Sequence, residues 1–246
     1  MAWRTPVRED TQEQMPIGYD SRLYRMRLRS VEHFPQRETW DCGVACCVMV
    51  SRLLGLPYSY SDWRLQCLTH CIWTVDMLLA LHRCGIAATM HTTCPGVNPQ
   101  HATQGFYADE SFDSESRRVR AAFLEASSLR LPISTIDVSI GHLSSWQNCV
   151  AIVLVDRNVL RCEDCWTPGV STSAASFVGH YIIVVGKRKD DASAVEFVDP
   201  ASQRSRCWAS VGNLEQARSS PGTDRDVIIV RTDQVVETNS YYRIQE

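Results

Sequence analysis

Cys42 is the cysteine of this chain that best fits a nucleophile, and it lies in the stretch RETWDCGVACCVMV from Arg37 to Val50. Asp41 precedes it and is a residue type favoured at helix N-caps, which would place Cys42 in the first turn of a helix. The unpaired N–H groups and the dipole at that end favour a thiolate, the reactive form of cysteine. The adjacent carboxylate of Asp41 opposes the same thiolate. The stretch therefore leaves two interpretations open, a nucleophile or a small core residue.

Two neighbours of Cys42 have the properties that acyl transfer requires. Gly43 carries no side chain and would let a substrate backbone approach the thiol. Gln36 lies six residues before Cys42, and its side-chain amide could donate a hydrogen bond to an oxyanion. We therefore predict that Gln36 belongs to the same site as the cysteine.

A cysteine nucleophile also needs a base and a group that orients the base. His180 is distinctive among the seven histidines because it follows a glycine and opens an apolar segment, GHYIIVVG. Asp199 ends the next strand-like segment, in FVDPAS. Two neighbouring antiparallel strands would bring the start of one beside the end of the other, so Asp199 could accept from the imidazole and fix its tautomer. Taken singly, a strand histidine and a turn aspartate before Pro200 are ordinary structural residues.

Hydrophobic periodicity assigns these residues to helices and strands. Helical spacing predicts three helices, each within one of the segments GVACCVMVSRLLG, IWTVDMLLALHRCG and SESRRVRAAFLEASSL. Runs rich in β-branched residues predict four strands, which begin near Val150, His180, Ala194 and Asp226. Helices that precede strands favour an α+β fold over an alternating parallel sheet.

Composition excludes several classes of protein. The chain of 246 residues has a formal net charge of −3 and no basic patch, so nucleic acid is not an expected partner. No apolar run is long enough for a membrane span. The polar first 30 residues predict a mobile arm rather than a signal peptide. Eleven cysteines without a secretion signal predict free thiols and a reducing, cytoplasmic setting.

Four motifs resemble the papain-like peptidase domains that trim leader peptides in bacterial peptide exporters: Gln36, DCGVAC at residues 41–46, GHYIIVVG and VDPAS. In that family a glutamine builds the oxyanion hole, and cysteine, histidine and aspartate form a catalytic triad. By motif position the resemblance implies these roles for Gln36, Cys42, His180 and Asp199. It also implies a papain-like fold, in which an N-terminal helix carries the cysteine and an antiparallel sheet carries the histidine and the aspartate.

A closer resemblance covers residues 31 to 230. The motifs WDCGVAC, IWTVDMLLALHRCGI, VAIVLVD, LRCEDC, GHYIIVVG, VDPAS and ARSSPGTDRDVIIV are similar to those of the guanylyl cyclase domain-containing proteins of animals and the related soluble guanylyl cyclase of plants. The family name implies conversion of GTP into cyclic GMP, whereas the motifs imply the papain-like fold. The two implications point to different chemistry.

Cyclase chemistry usually needs carboxylates that hold magnesium or manganese ions. The chain has no P-loop and no other glycine-rich phosphate loop. The motif GTDRD places Asp224 and Asp226 at alternating positions, which an extended backbone would turn to one face, so a metal pair is conceivable there. A solvated turn that leads into a strand is the commoner structure for such a motif.

Two further groups of cysteines have spacings that metal sites use. Cys162 and Cys165, in CEDC, have the spacing of half a zinc site. The sequence holds no second such pair, so a third or fourth ligand would come from elsewhere in the fold, and the candidates are Cys149, Cys94 and His142. The mixed segment CLTHCIW, at residues 67–73, leads into an apolar helix and favours core packing or capping.

These observations predict a single α+β domain over residues 31–235, between the arm at residues 1–30 and a tail at residues 236–246. The predicted function is a papain-like thiol hydrolase that acts on a peptide, isopeptide or other amide bond of a peptide or protein substrate and needs no cofactor. Two alternatives stay open. One is a guanylyl cyclase that uses GTP with magnesium or manganese, and the other is an interaction module without turnover.

Overall fold

The computed structural model describes residues 31–67, 69–103, 112–165, 177–188 and 190–235. The arm predicted for residues 1–30 and the tail predicted for residues 236–246 lie outside the described residues.

The described helices occupy both halves of the chain. Their bounds are α1 (Cys42–Leu53), α2 (Tyr60–Cys67), α3 (Thr74–Arg83), α4 (Phe112–Ser128), α5 (Ile140–Leu143) and α6 (Val211–Arg218), with a short 3₁₀ helix at Pro99–Thr103. The strands are β1 (Ile86–His91), β2 (Ile133–Ser134), β3 (Cys149–Asp156), β4 (Gly179–Lys187), β5 (Ala194–Val198), β6 (Cys207–Ser210) and β7 (Val227–Val235).

The strands form a single seven-stranded sheet in the order β2-β1-β7-β3-β4-β5-β6. The pairing of β1 with β2 is parallel, and every other pairing is antiparallel. The central strand β3, residues 182–184 of β4 and residues 227–230 of β7 are rich in Val and Ile, because they are buried on both faces of the sheet. The sheet is therefore a rigid platform with helices on either side.

Alternate residues of β3 contribute to two separate hydrophobic cores. Val150, Ile152 and Leu154 pack in the core that contains the helices α1 and α3. Ala151, Val153 and Val155 pack in the opposite core, which contains side chains of α5 and α6. This alternation follows from the two-residue period of a strand, and it produces three layers with the sheet in the middle.

The α+β class predicted from the sequence is confirmed. The helix that begins at Cys42 packs against β4, which carries His180, and this is the arrangement that the papain-like resemblance implied. Gly55 and Gly85, shortly after the ends of α1 and α3, have φ angles of 70° and 73°, as expected of glycines that end helices. The sequence patterns missed β1, β2, β6 and the short helices α2, α5 and α6. None of the helices in the described part of the chain combines the length and the apolarity that crossing a membrane requires.

Candidate active site

Cys42 is the first residue of α1, and 7% of its surface is exposed. One turn further along the helix, Cys46 Sγ donates a hydrogen bond to the backbone carbonyl of Tyr181, at 3.6 Å. Tyr181 follows His180 on β4. This contact and the packing of α1 on β4 hold the N-terminal end of the helix beside the histidine.

Asp41 occupies the N-cap position of α1, as predicted, and Cys42 begins the first turn, but the Asp41 side chain makes no capping hydrogen bond. The Asp41 carboxylate is fully buried. It instead accepts from the backbone N–H groups of Arg37 and Glu38, at 3.1–3.2 Å, and from the Tyr60 hydroxyl at 2.6 Å. Asp41 therefore fixes the turn that follows Gln36.

Gly43 has a packing role instead of the predicted role of admitting a substrate. It is buried, and a Cβ atom at this position would lie 2.8 Å from Met77 Sδ and 3.3 Å from Tyr181 Cδ2. The missing side chain allows the first turn of α1 to approach α3 and β4 closely. This approach brings the Cys42 thiol to the sheet.

His180 and Asp199 lie at the same edge of the sheet because β4 and β5 are antiparallel. Ile183 pairs with Val198, so the start of β4 lies beside the residue that follows β5. His180 Nε2 and Asp199 Oδ1 are 2.7 Å apart, and the same oxygen accepts from the backbone N–H of Ala201 at 2.7 Å. The Asp199 carboxylate thus contacts the Nε2 side of the His180 ring. The other ring nitrogen, Nδ1, lies on the opposite side of the ring.

The Cys42 thiol is the second hydrogen-bonding partner of the His180 ring. Burial by itself lowers the pKa of His180, but the hydrogen bonds with Asp199 and Cys42 outweigh burial and raise that pKa to about 9. Burial raises the pKa of Asp199, and the hydrogen bond and charge of His180 more than reverse this effect, so its pKa is lowered. We call Cys42, His180 and Asp199 the thiol site. Their catalytic roles stay a prediction.

Gln36 is tied to the loop that carries Asp199. Its backbone N–H donates to the carbonyl of Pro200 at 2.9 Å. Its side-chain Nε2 donates to the carbonyl of Glu38 at 2.7 Å, while its Oε1 is buried without a hydrogen-bond partner. An amide NH₂ group has two hydrogens, so one remains for an oxyanion. Its predicted role in the oxyanion hole is compatible with these contacts.

Asp224 and Asp226 lie in a turn and do not form the extended pair predicted from GTDRD. Asp224 and Arg225 have positive φ angles of 46° and 53°. The Asp224 carboxylate accepts from Asn98 Nδ2 at 2.7 Å and lies 3.2 Å from His101 Nε2. We call Asp224, Asp226 and His101 the carboxylate pocket.

The carboxylate pocket does not fit magnesium or manganese. Burial raises the pKa of Asp226 to about 7 and outweighs the hydrogen bonds from Thr74 and Thr92, which lower it. The charge of Asp224 raises this pKa further. Asp226 Oδ1 is buried without a hydrogen-bond partner. Two carboxylates that hold divalent ions must be charged and accessible to the ion. Within the described ranges, the three residues of the pocket are also not grouped closely enough to share an ion.

A third group consists of Cys162, Cys165 and Cys207, which we call the cysteine cluster. Their sulfur atoms all lie within 4.8 Å of one another, and this is the one such group of three or more potential metal ligands among the described residues. Cys149, Cys94 and His142, the partners considered from the sequence, do not belong to it. Cys207 carries no local sequence signal, because only the pairing of β6 with β5 brings it to the CEDC segment.

All eleven cysteines are free, as predicted. Cys46, Cys47, Cys67 and Cys84 are buried, and burial raises the pKa of each. They behave as small core residues. In the CLTHCIW segment, Cys67 packs in the core and Cys71 is exposed, so the prediction of core packing holds for the first of the two.

Similarity to known proteins extends over most of this chain. A family described as "Guanylylate cyclase" matches residues 31–230. A protein of Arabidopsis thaliana named Guanylyl cyclase 1 is 33% identical over 220 residues, which cover 86% of this chain and 79% of that protein. Among solved structures, the peptidase domain of Streptococcus ComA, a bi-functional ABC transporter involved in quorum sensing, is 12% identical with a TM-score of 0.46. That match covers 82% of this chain and 98% of the ComA domain.

Proposed function

This chain belongs to the guanylylate cyclase family, and from the contacts of its thiol site we propose that it is a cysteine-dependent hydrolase of a peptide, isopeptide or other amide bond. The observation that carries the proposal is the hydrogen-bonded series from Cys42 through His180 to Asp199. Nucleophilic catalysis needs a thiol, a base and a group that orients the base, in this order.

In the first half of the proposed reaction, His180 takes the proton of the Cys42 thiol. The thiolate attacks the carbonyl carbon of the substrate, and the electron pair of the double bond moves to the oxygen. The backbone N–H of Cys42 and the Gln36 amide stabilise this oxyanion. The Cys42 N–H has no acceptor within the helix, because Cys42 lies in the first turn. The raised pKa of His180 suits it to hold the proton until the leaving amine accepts it.

In the second half, the amine departs with the proton from His180 and leaves an acyl group on the Cys42 sulfur. A water molecule then attacks the thioester, and His180 accepts a proton from that water. The thiolate is expelled and the carboxylic acid product is released. Asp199 acts throughout by orienting the imidazole and by stabilising its positive charge, and it exchanges no proton.

Cyclisation of GTP is the second candidate, because the family description and the name of the Arabidopsis relative both state it. Its sequence candidates are Asp224 and Asp226. The burial of Asp226, which raises its pKa, and the pairing of Asp224 with Asn98 and His101 argue against a metal-dependent cyclase at this location. We therefore place the hydrolase first.

Selective alkylation tests the thiol site without knowledge of the substrate. Iodoacetamide should label Cys42 faster than Cys71 at neutral pH, although Cys71 is exposed and Cys42 is buried. Partial desolvation of its sulfur and the charge of Glu115 raise the pKa of Cys71, although the residue is exposed, whereas Cys42 has an imidazole partner. Peptide mass spectrometry over time gives both rates. Equal rates, or faster labelling of Cys71, would contradict the proposal.

A paired assay separates the two chemistries. Purified protein is incubated with a panel of peptide and isopeptide amides, and separately with GTP and magnesium or manganese, and products are identified by mass spectrometry. The hydrolase predicts amide cleavage that Cys42→Ala abolishes and Asp224→Asn retains. Cyclic GMP produced by Cys42→Ala and lost in Asp224→Asn would establish the cyclase instead. Selective labelling of Cys42 without any product would favour the interaction module.

A further inference from the structure

The cysteine cluster joins two segments that are far apart in the sequence. Cys162 and Cys165 lie in the loop after β3, and Cys207 is the first residue of β6. Cys165 Sγ and Cys207 Sγ are 3.9 Å apart, and no pair of these cysteines forms a disulfide. Cys207 is buried, Cys162 is half-buried and Cys165 is exposed, so the cluster opens to solvent on one side only.

The backbone around the cluster donates hydrogen bonds to sulfur. Cys162 Sγ accepts from the backbone N–H groups of Asp164, Cys165 and Trp208. The N–H of Glu163 donates to the carbonyl of Trp208 at 2.8 Å, which fastens the CEDC turn to β6. Backbone N–H groups that converge on a cysteine sulfur orient it, as hydrogen bonds around metal ligands commonly do.

We propose that Cys162, Cys165 and Cys207 bind one zinc ion, with a water molecule as its fourth ligand. Zinc prefers thiolate ligands in tetrahedral geometry, and three converging sulfurs supply three corners of a tetrahedron. Among the described residues no further Cys, His, Asp or Glu joins the group. Residues 166–176, which follow Cys165, contain none of these four residue types either. The solvent side at Cys165 provides the water.

The zinc ion would hold the two segments that flank the thiol site. Ser202, whose backbone N–H donates to the Asp199 carbonyl, has its hydroxyl 3.8 Å from Cys165 Sγ. The loop from β5 to β6 begins with Asp199 and ends just before Cys207. By binding all three sulfurs, the metal would join this loop to the CEDC turn and would keep one ligand position open to solvent. The proposal does not depend on hydrolase activity.

The metal content of the full chain tests this proposal. The protein is prepared under reducing conditions with zinc, freed of excess metal, and measured by mass spectrometry of the metal and by X-ray absorption at the zinc edge. We expect one zinc per chain, with three sulfur neighbours at about 2.3 Å and one oxygen. Removal of zinc with a chelator and reloading should restore the same spectrum. Absence of stoichiometric zinc from the folded wild type would overturn the proposal, as would a disulfide between Cys162 and Cys165 in this preparation.

Variants locate the ion. Cys162→Ser and Cys207→Ser should each lose most of the zinc, whereas Cys71→Ser should retain one zinc per chain, as an exposed cysteine outside the cluster. Cys42→Ala should also retain zinc, which excludes binding at the thiol site. Circular dichroism shows whether each variant is folded. If a cluster variant does not fold, chelation and reloading of the wild type test the proposal instead. Zinc retained by a folded Cys207→Ser variant, or lost from Cys42→Ala, would refute the assignment.

Discussion

The thiol site and the carboxylate pocket are connected through β4, yet the pKa values of their buried carboxylates are shifted in opposite directions. Tyr181, next to His180, has its hydroxyl 3.0 Å from Thr74 Oγ1, and Thr74 is hydrogen-bonded to Asp226. At the thiol site, pairing with His180 lowers the pKa of the Asp199 carboxylate despite burial. In the carboxylate pocket, burial dominates and raises the pKa of Asp226 to about 7.

The difference between the two carboxylates follows from their partners. A buried charge is stable only with an opposite charge or with enough hydrogen-bond donors, and Asp199 has both in His180 and the N–H of Ala201. Asp226 faces a second carboxylate, and one of its oxygens has no hydrogen-bond partner. The surroundings of Asp199 therefore favour its charged form, as the proposed proton transfer at the thiol site requires, whereas those of Asp226 favour its neutral form.

The largest expected effect is that of removing the base. His180→Ala should reduce amide hydrolysis on the order of 10³-fold, because the thiol loses its proton acceptor and the leaving amine loses its proton donor. Alkylation of Cys42 at neutral pH should also become slower. Steady-state kinetics and time-resolved labelling measure the two effects.

His82→Ala is the matched control for the base. His82 is an exposed residue in the last turn of α3 and makes no contact with the thiol site. This variant should retain the hydrolysis and labelling rates of the wild type. If His180→Ala labels and turns over like His82→Ala, the thiol site is not catalytic.

The second prediction concerns the carboxylate pocket and stability. The pKa of Asp226 is about 7 in the folded protein, above its ordinary value of 3.8, so the folded state binds the extra proton. From about pH 4 upward the unfolded chain ionises Asp226 while the folded state keeps the proton. The resulting loss of stability is absent below about pH 4, grows between about pH 4 and pH 7 to at most ~4 kcal/mol, and is constant at higher pH. Asp226→Asn removes this loss of stability and should raise the melting temperature at pH 8 more than at pH 4.

Added manganese tests directly whether the carboxylate pocket binds a metal ion. An ion bound at the carboxylate pocket would raise the melting temperature of the wild type, and Asp226→Asn would lose that increase. We expect no such dependence on manganese. A manganese-dependent increase, or a loss of stability in Asp226→Asn at pH 8, would reverse the comparison between the two regions.

Local patterns were sufficient to predict the elements that carry the thiol site. The helix after Cys42, the glycine that ends it, and the strands before Asp199 and after Gly179 all have strong periodicity and clear ends. Antiparallel pairing of adjacent strands is the simplest arrangement, and it predicted the proximity of His180 and Asp199.

The errors have a common physical cause, which is that tertiary contacts determine the role of a side chain. Asp41 occupies the predicted N-cap position, but the Tyr60 hydroxyl and the N–H groups of a preceding turn compete successfully for its carboxylate. Gly43 is required because α3 and β4 approach it. Cys207 joins the CEDC turn only after β6 pairs with β5. No sequence pattern around any of these residues encodes the distant partner.

The third prediction separates orientation from proton transfer. Asp199→Asn removes the negative charge that raises the pKa of His180, so that pKa should fall below about 9. In the wild type, hydrolysis should decline as the pH rises through 9, because the imidazolium that protonates the amine is lost. In Asp199→Asn this decline should begin at lower pH, with a rate about 10 to 10²-fold lower near neutrality.

The pH profile of kcat distinguishes this effect from a general loss of structure. Asp190→Asn, at an exposed residue paired with Arg188, is the control and should have the wild-type profile. A profile of Asp199→Asn that is lower at every pH but unshifted would mean that Asp199 does not set the pKa of His180.

The smallest effect is expected from Tyr60→Phe, which tests how Asp41 supports the oxyanion hole. The Tyr60 hydroxyl donates to the Asp41 carboxylate at 2.6 Å, and that carboxylate holds the turn after Gln36. Loss of this hydrogen bond to a charged acceptor should cost about 1–2 kcal/mol of unfolding free energy, measured by urea denaturation. It should lower kcat several-fold with little change in the labelling of Cys42, because the thiol and His180 are untouched.

Tyr58→Phe is the control for this last test, because the partners of the Tyr58 hydroxyl are groups of Cys84, its side chain and its carbonyl at 3.4 Å, and not a carboxylate. Its stability and kcat should stay close to those of the wild type. If Tyr60→Phe and Tyr58→Phe have equal stability and equal kcat, the buried carboxylate of Asp41 holds the turn without the tyrosine. If Tyr60→Phe slows the labelling of Cys42 as much as it lowers kcat, the turn positions the thiol itself. Its effect is then not confined to the oxyanion hole.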